Sequence, residues 1–162
     1  MVNEQLLSEI LEDGSLEEKQ IINSALKAIE RKRNRKSSYM SGFLNFTSEF
    51  IDEDTFQLNI PITPFMLNSL GIVHGGVTAT IIDTTMGTVI RKKFLPKGHT
   101  VVTTEMKINY IKPGKGNKLI SKAIILHKGR TQCVTECKVY NEEGTLVAAA
   151  TGTFIIVESK FE

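Results

Sequence analysis

The sequence predicts an α+β fold in which an antiparallel β-sheet wraps one long central α-helix, with an N-terminal helical extension in front of it. Three observations lead there. Residues 1–36 carry apolar side chains at helical spacing, and from Tyr39 onward the pattern changes to strands. That strand pattern is interrupted once, by a long, nearly uncharged stretch that opens at Ile72 and runs to Phe94. An antiparallel sheet buries a face only by covering it, and a single long helix is available to do so, so the sheet must curl around that helix.

Each element has its own signal. Leu6, Leu7, Ile10 and Leu11 fall on one helical face, and Asp13-Gly14 stops that helix. Ser15, with Glu18 three residues later, forms a capping box that starts a second helix with an apolar stripe of Ile22, Leu26 and Ile29. Its end, Arg31-Lys32-Arg33-Asn34-Arg35-Lys36, places positive charge at the negative pole of the macrodipole. Tyr39 to Ile51 and Thr55 to Ile60 read as two strands joined by the Asp52-Glu53-Asp54 turn. Pro61 and Pro64 bracket an irregular stretch leading to Gly71.

In the interrupting stretch, Val77, Ile81, Ile82, Met86, Val89 and Ile90 suit a helix buried on most sides. Gly76, Ala79 and Gly87 would let a sheet approach it closely. Four further strands follow: Thr100 to Ile111, Lys118 to Leu126, Thr131 to Tyr140 and Thr145 to Val157. The separators Lys112-Pro113-Gly114, Lys128-Gly129-Arg130 and Asn141-Glu142-Glu143-Gly144 have hairpin length and turn chemistry, which predicts an antiparallel meander of all four. No repeat or long linker divides the chain, so residues 1–36 are read as an extension and 37–162 as one domain.

Composition excludes several function classes. A chain of 162 residues with 41% hydrophobic side chains removes about 69% of its surface from water on folding, enough for a core without disulfides or metals. A formal charge of +2 gives no reason to expect a nucleic-acid or membrane partner. Cys133 and Cys137 stand four apart on a predicted strand, about 13 Å and out of disulfide reach, which suits a reducing compartment. They also lack the partners of a four-ligand zinc site, so no metal is expected. The opening Met1-Val2-Asn3-Glu4 is polar and no apolar run reaches the roughly 18 residues of a membrane span, so the expected location is the cytoplasm.

The residues able to carry chemistry cluster around the central helix. Asn68-Ser69-Leu70-Gly71-Ile72-Val73-His74-Gly75-Gly76, followed by Asp83 in the third turn, resembles the motif of the PaaI-like acyl-CoA thioesterases of the hotdog fold. The resemblance covers residues 40 to 157. It implies hydrolysis of an acyl-CoA thioester, no cofactor beyond the coenzyme A that belongs to the substrate, and sites at dimer interfaces, with dimers often paired into tetramers.

The residues support that chemistry in their own right. Gly75 and Gly76 open a helix, where unpaired N–H groups and the positive dipole end can hold a developing oxyanion; tight packing alone is the plainer reading of two glycines. A carboxylate in the middle of an uncharged helix costs free energy unless something faces it, which marks Asp83 as nucleophile or general base. Eight residues put Gly75 and Asp83 about 12 Å apart on one helix, whereas donor and attacking group must each lie about 3 Å from the reacting carbon. A two-fold dimer sharing each site between subunits resolves this.

Asn68 carries donor and acceptor and is expected to orient the water or hold the carboxylate; by itself it would be a turn residue. His74 is expected to shape the loop before Gly75. The resemblance puts a Ser or Thr near the attacking water, which Thr103 matches, although Thr104 is its neighbour. Phe65 and Met66 are candidates for an acyl pocket or for dimer core, and Lys112, Lys115 and Arg33 for the phosphates of coenzyme A by charge alone. The competing readings are a non-catalytic acyl-CoA sensor of the FapR type and a hotdog hydratase or dehydratase.

Overall fold

A computed structural model describes residues 3–34, 38–95 and 98–159. Helix α1 (Glu4–Asp13) and helix α2 (Leu16–Arg33) form the extension. Ser15 caps α2 as expected: its backbone N–H donates to Glu18 Oε2 at 2.7 Å while the Glu18 N–H donates to Ser15 Oγ at 3.2 Å. Residues 35 and 36 of the basic run lie outside the described residues.

Tyr39–Leu44 is a third helix, α3, and not the start of a strand. The strand expected from Tyr39 does not begin there, because Ser38 Oγ accepts from the Ser41 N–H at 3.1 Å and starts a helical turn. Asn45, at φ 50°, ends it. Gly42 lets α3 settle on α2, since a Cβ there would stand 2.9 Å from Ala28 Cα. Strand β1 is therefore short (Thr47–Phe50), and the turn to β2 (Phe56–Pro61) is held by Asp52 Oδ1. That oxygen accepts from the Asp54 N–H at 2.8 Å and the Thr55 N–H at 2.7 Å. Those bonds hold the Asp52 carboxyl below its usual range.

After a 3₁₀ turn at Pro64–Met66 comes the central helix α4 (Gly75–Phe94), then β3 (His99–Tyr110), β4 (Lys118–Lys128), β5 (Gln132–Asn141) and β6 (Leu146–Glu158). The antiparallel sheet has the order β1-β2-β4-β5-β6-β3. Only β4, β5 and β6 form the expected meander. Strand β3 pairs with β6, because β2 already occupies the free edge of β4 from Phe56↔Ala123 to Pro61↔Lys118. The segment after Lys112-Pro113-Gly114 is thus a crossover, pinned where Val73 N–H donates to Gly114 O at 2.9 Å and Ile62 N–H to Asn117 O at 2.8 Å.

The sheet curls over α4, whose Ile81, Ile82, Met86 and Val89 are fully buried. Burying each such side chain contributes about 1.5–3 kcal/mol before entropy is counted. A close helix–sheet approach depends on Gly152 in β6, where a Cβ would stand 2.8 Å from Met86 Cε. Gly87, expected to serve this purpose, has room for a Cβ, with Phe154 Cε1 at 3.6 Å.

One buried polar chain crosses the core. Thr85 Oγ1 donates to Ile81 O at 2.7 Å and lies 2.7 Å from Ser121 Oγ, which is 3.2 Å from Cys137 Sγ. Desolvation pushes the Cys137 thiol up to about 12, so it is an inert core group. Ser121→Ala is expected to lower stability by about 1 kcal/mol, seen as a lower denaturant midpoint at unchanged slope. No described helix is long and apolar enough to cross a membrane.

Candidate active site

The helix start and the helix middle build two separate clefts. At the start, His74 is the N-cap of α4: its Nδ1 accepts from the Gly76 N–H at 2.9 Å, which requires that nitrogen to be unprotonated. Its carbonyl accepts from the Thr78 N–H at 3.0 Å. The next carbonyl, that of Gly75, accepts from the Tyr110 hydroxyl at 3.0 Å. The Gly75–Gly76 peptide is therefore held at both ends. Gly76 has spent its N–H on His74, whereas no acceptor for the Gly75 N–H occurs among the described residues. Of the two glycines, Gly75 is the one with a donor to offer at the positive pole of the helix.

Asn68 faces the same cleft, of about 270 Å³, together with Gly75, Tyr110 and Lys112. Its Oδ1 accepts from the Leu70 N–H at 2.9 Å, and its carbonyl accepts from the Gly71 N–H at 2.9 Å, with Gly71 at φ +66°. The left-handed conformation at that turn is why glycine stands there. The Asn68 side chain is thus a turn residue through its oxygen, while its Nδ2 group has no acceptor among the described residues.

Asp83 lies in the third turn of α4, half-buried, and its Oδ1 accepts from Thr103 Oγ1 at 2.6 Å. A β-bulge decides between the two threonines. Pairing of β3 with β6 jumps from Thr103↔Phe154 to Glu105↔Thr153, leaving Thr104 unmatched. Thr104 Oγ1 donates to Thr153 O at 3.0 Å, so Thr103 alone serves the carboxylate. The two residues open on a second cleft, of about 190 Å³. Its other walls include Ser41 of α3, Gly87 and Arg91 of α4, and Thr100 of β3.

The remaining candidates are dispersed. Phe65 is exposed and packs edge-on to Phe43 at 4.5 Å. Met66 is 1% exposed and belongs to the core, its carbonyl accepting from the His74 N–H at 2.8 Å. Lys112 stands on the rim of the Gly75 cleft. Lys115 shares a neighbouring cleft with Glu142 and Glu143, which opposes an anion there. Arg33 ends α2, exposed. Tyr110 and Arg91 carried no mark in the sequence, because only the crossover and the helix register bring them to the clefts.

Comparison with known proteins agrees with this architecture. Residues 70–148 match the model of the thioesterase superfamily. A relative in Halobacterium salinarum is 33% identical over 123 residues, covering 69% of this chain and 80% of its own. The medium/long-chain acyl-CoA thioesterase YigI of Escherichia coli is 25% identical over 127 residues, 70% of this chain and 82% of its own. Among solved structures, the BH2602 protein from Bacillus halodurans, crystallised with CoA, superposes with a TM-score of 0.83 at 36% identity. That match spans 93% of this chain and 99% of that one. A long helix wrapped by six antiparallel strands, with the expected motif at its start and middle, agrees with these matches: the chain belongs to the thioesterase superfamily on the hotdog fold and is a thioester hydrolase.

Proposed function

We propose that the protein hydrolyses acyl-coenzyme A thioesters at composite sites, each built from the Gly75 end of one protomer and the Asp83 cleft of its partner. The observation that carries this reading is the separation of two incomplete halves. An N–H donor with no acceptor among the described residues and a half-buried carboxylate lie about 12 Å apart on one rigid helix, too far to serve one carbonyl. The relatives support the substrate class, since one is named for acyl-CoA hydrolysis and another was solved with CoA. The acid cleft, about 190 Å³ in one protomer, has room for a small or medium acyl or aryl group.

Surface area supports association. The protomer exposes 10,329 Å², against about 8,000 Å² for a compact monomer of this size, an excess of about 2,300 Å². Over two protomers that is about 4,600 Å², within the range an obligate homodimer removes from water. Strand β3 is a twelve-residue edge strand with exposed backbone partners, another surface that a second copy would cover. Dimers of this fold are expected to pair further into tetramers.

In the mechanism, the thioester oxygen accepts from the Gly75 N–H. Thr103 holds Asp83 Oδ1, which leaves Oδ2 to take a proton from water. The water oxygen adds to the carbonyl carbon, and the oxyanion that forms is stabilised by the N–H and the helix dipole. Collapse breaks the C–S bond and releases a thiolate whose conjugate acid has a pKa of about 8.5, so no strong general acid is needed, and the proton held on Asp83 passes to the departing thiolate or to solvent. In this reading Asn68 Nδ2, which has no acceptor among the described residues, orients the water or the carbonyl. His74 fixes the loop.

Thiol release from a panel of short, long and aromatic acyl-CoA thioesters tests the reading; carbon–carbon chemistry or binding without turnover would move it to the hydratase or sensor class. Within it, Thr103→Ala is expected to slow turnover about 10- to 100-fold through loss of a bond to a charged group, whereas Thr104→Ala stays within about threefold. Equal effects of the two would contradict the assignment.

A further inference from the structure

We infer that Arg91 forms a subsite for an anionic group of the substrate, at the far end of the groove that starts at Asp83; this rests on the hydrolase reading above. Asp83, Gly87 and Arg91 follow at four-residue spacing on α4, so they share one face, with the guanidinium-bearing residue about 12 Å beyond the acid. Strand β3 runs beside them in the opposite sense: Thr103 meets Asp83, and Thr100 and Val101 line the same cleft as Gly87 and Arg91. Acid and cation therefore stand at two ends of one groove.

The groove between them is lined for polar oxygen. Ser41, Thr84, Thr88 and Thr100 bring hydroxyls to its walls, while Gly87 leaves the middle without a side chain. Arg91 itself is exposed, and among the described residues its Nη2 donates to Thr88 Oγ1 alone, at 3.3 Å. Among the described residues no carboxylate pairs with it, in contrast to Lys93 two residues on, which pairs with Asp54. An arginine without an acid partner, steadied by one hydroxyl and opening on the cleft of the attacking group, presents a planar fork that matches carboxylate or phosphate oxygens.

Two parts of an acyl-CoA carry such oxygens, the phosphates of the coenzyme and a carboxylate at the distal end of the acyl chain. Dissociation constants measured by calorimetry in the Asp83→Asn background, with and without Arg91→Gln, separate them and do not depend on turnover. The probes are an acyl-CoA, the same acyl group on pantetheine, which lacks the phosphates, and the acyl-CoA ending in a carboxylate. Loss of about tenfold affinity for both CoA compounds, with pantetheine binding unchanged, assigns Arg91 to the phosphates. Loss confined to the carboxylate-ended compound assigns it to the acyl end. Equal dissociation constants for all three probes in a folded variant of unchanged oligomeric state overturn the proposal. Failure of wild type to release thiol from any thioester would instead overturn the hydrolase reading, and the binding result would still decide the role of Arg91.

Discussion

Asp83→Asn is expected to lower thiol release from acyl-CoA by about 10³-fold while the protein keeps its fold and oligomeric state. The exchange is nearly isosteric and the position is half-buried, so Asn still accepts from Thr103 Oγ1, and no buried charge is stranded. What disappears is the oxygen that takes the proton from water. The change should fall on kcat, with KM within a few-fold, because the lost interaction belongs to the transition state. Circular dichroism and size-exclusion elution identical to wild type, beside the loss of turnover, are the expected signature. Near-normal turnover would remove Asp83 from the mechanism.

Gly75→Pro is expected to cost about 10²–10³-fold in turnover, the usual effect of deleting one oxyanion donor. The backbone is suited to this substitution. Gly75 is the first residue of α4, where proline is tolerated, and His74 sits at φ −58° and ψ 137°, the extended conformation that a residue before proline adopts. An added Cβ finds the Tyr110 ring at 3.6 Å, an ordinary contact. Gly75→Ala is the control: it keeps the N–H and is expected to stay within about threefold of wild type. Equal loss in the two variants would mean that bulk, and not the donor, matters at this position.

The helix caps, the Asp52 turn and the central helix were legible because each rests on short-range chemistry. Ser15 with Glu18, Asp52 in its turn and the apolar positions of α4 act on neighbours within about four residues. Tyr39–Leu44 misled because aromatic side chains suit strands as well as a short helix, and packing of Gly42 on Ala28 decided the matter. The place of β3 was hidden for a related reason. A turn-like Lys112-Pro113-Gly114 cannot announce whether the next strand returns beside the last one, and competition for the edge of β4 settled it.

The site divides in the same way. Asp83 and Gly75 stood out as a misplaced charge and a helix start, both local signals. Choosing Thr103 over Thr104 required the bulge in β3, and the reason Gly76 has no donor to offer, its N–H being taken up by the His74 side chain, is visible only in the structure. Tyr110 and Arg91 are visible only once strand and helix lie side by side.

If donor and acid come from different subunits, two inactive variants must restore activity when mixed. Asp83→Asn and Gly75→Pro chains carrying different tags are to be co-expressed, and the doubly tagged dimer isolated and assayed for thiol release. In that dimer one site holds both defects and the other holds intact Gly75 from one chain with intact Asp83 from the other. A composite site gives about half the turnover of a wild-type dimer, recovered from two nearly inactive parents. If one chain supplied both groups, each site in the mixed dimer would carry one defect and activity would stay at the level of the parents, which would contradict the composite site.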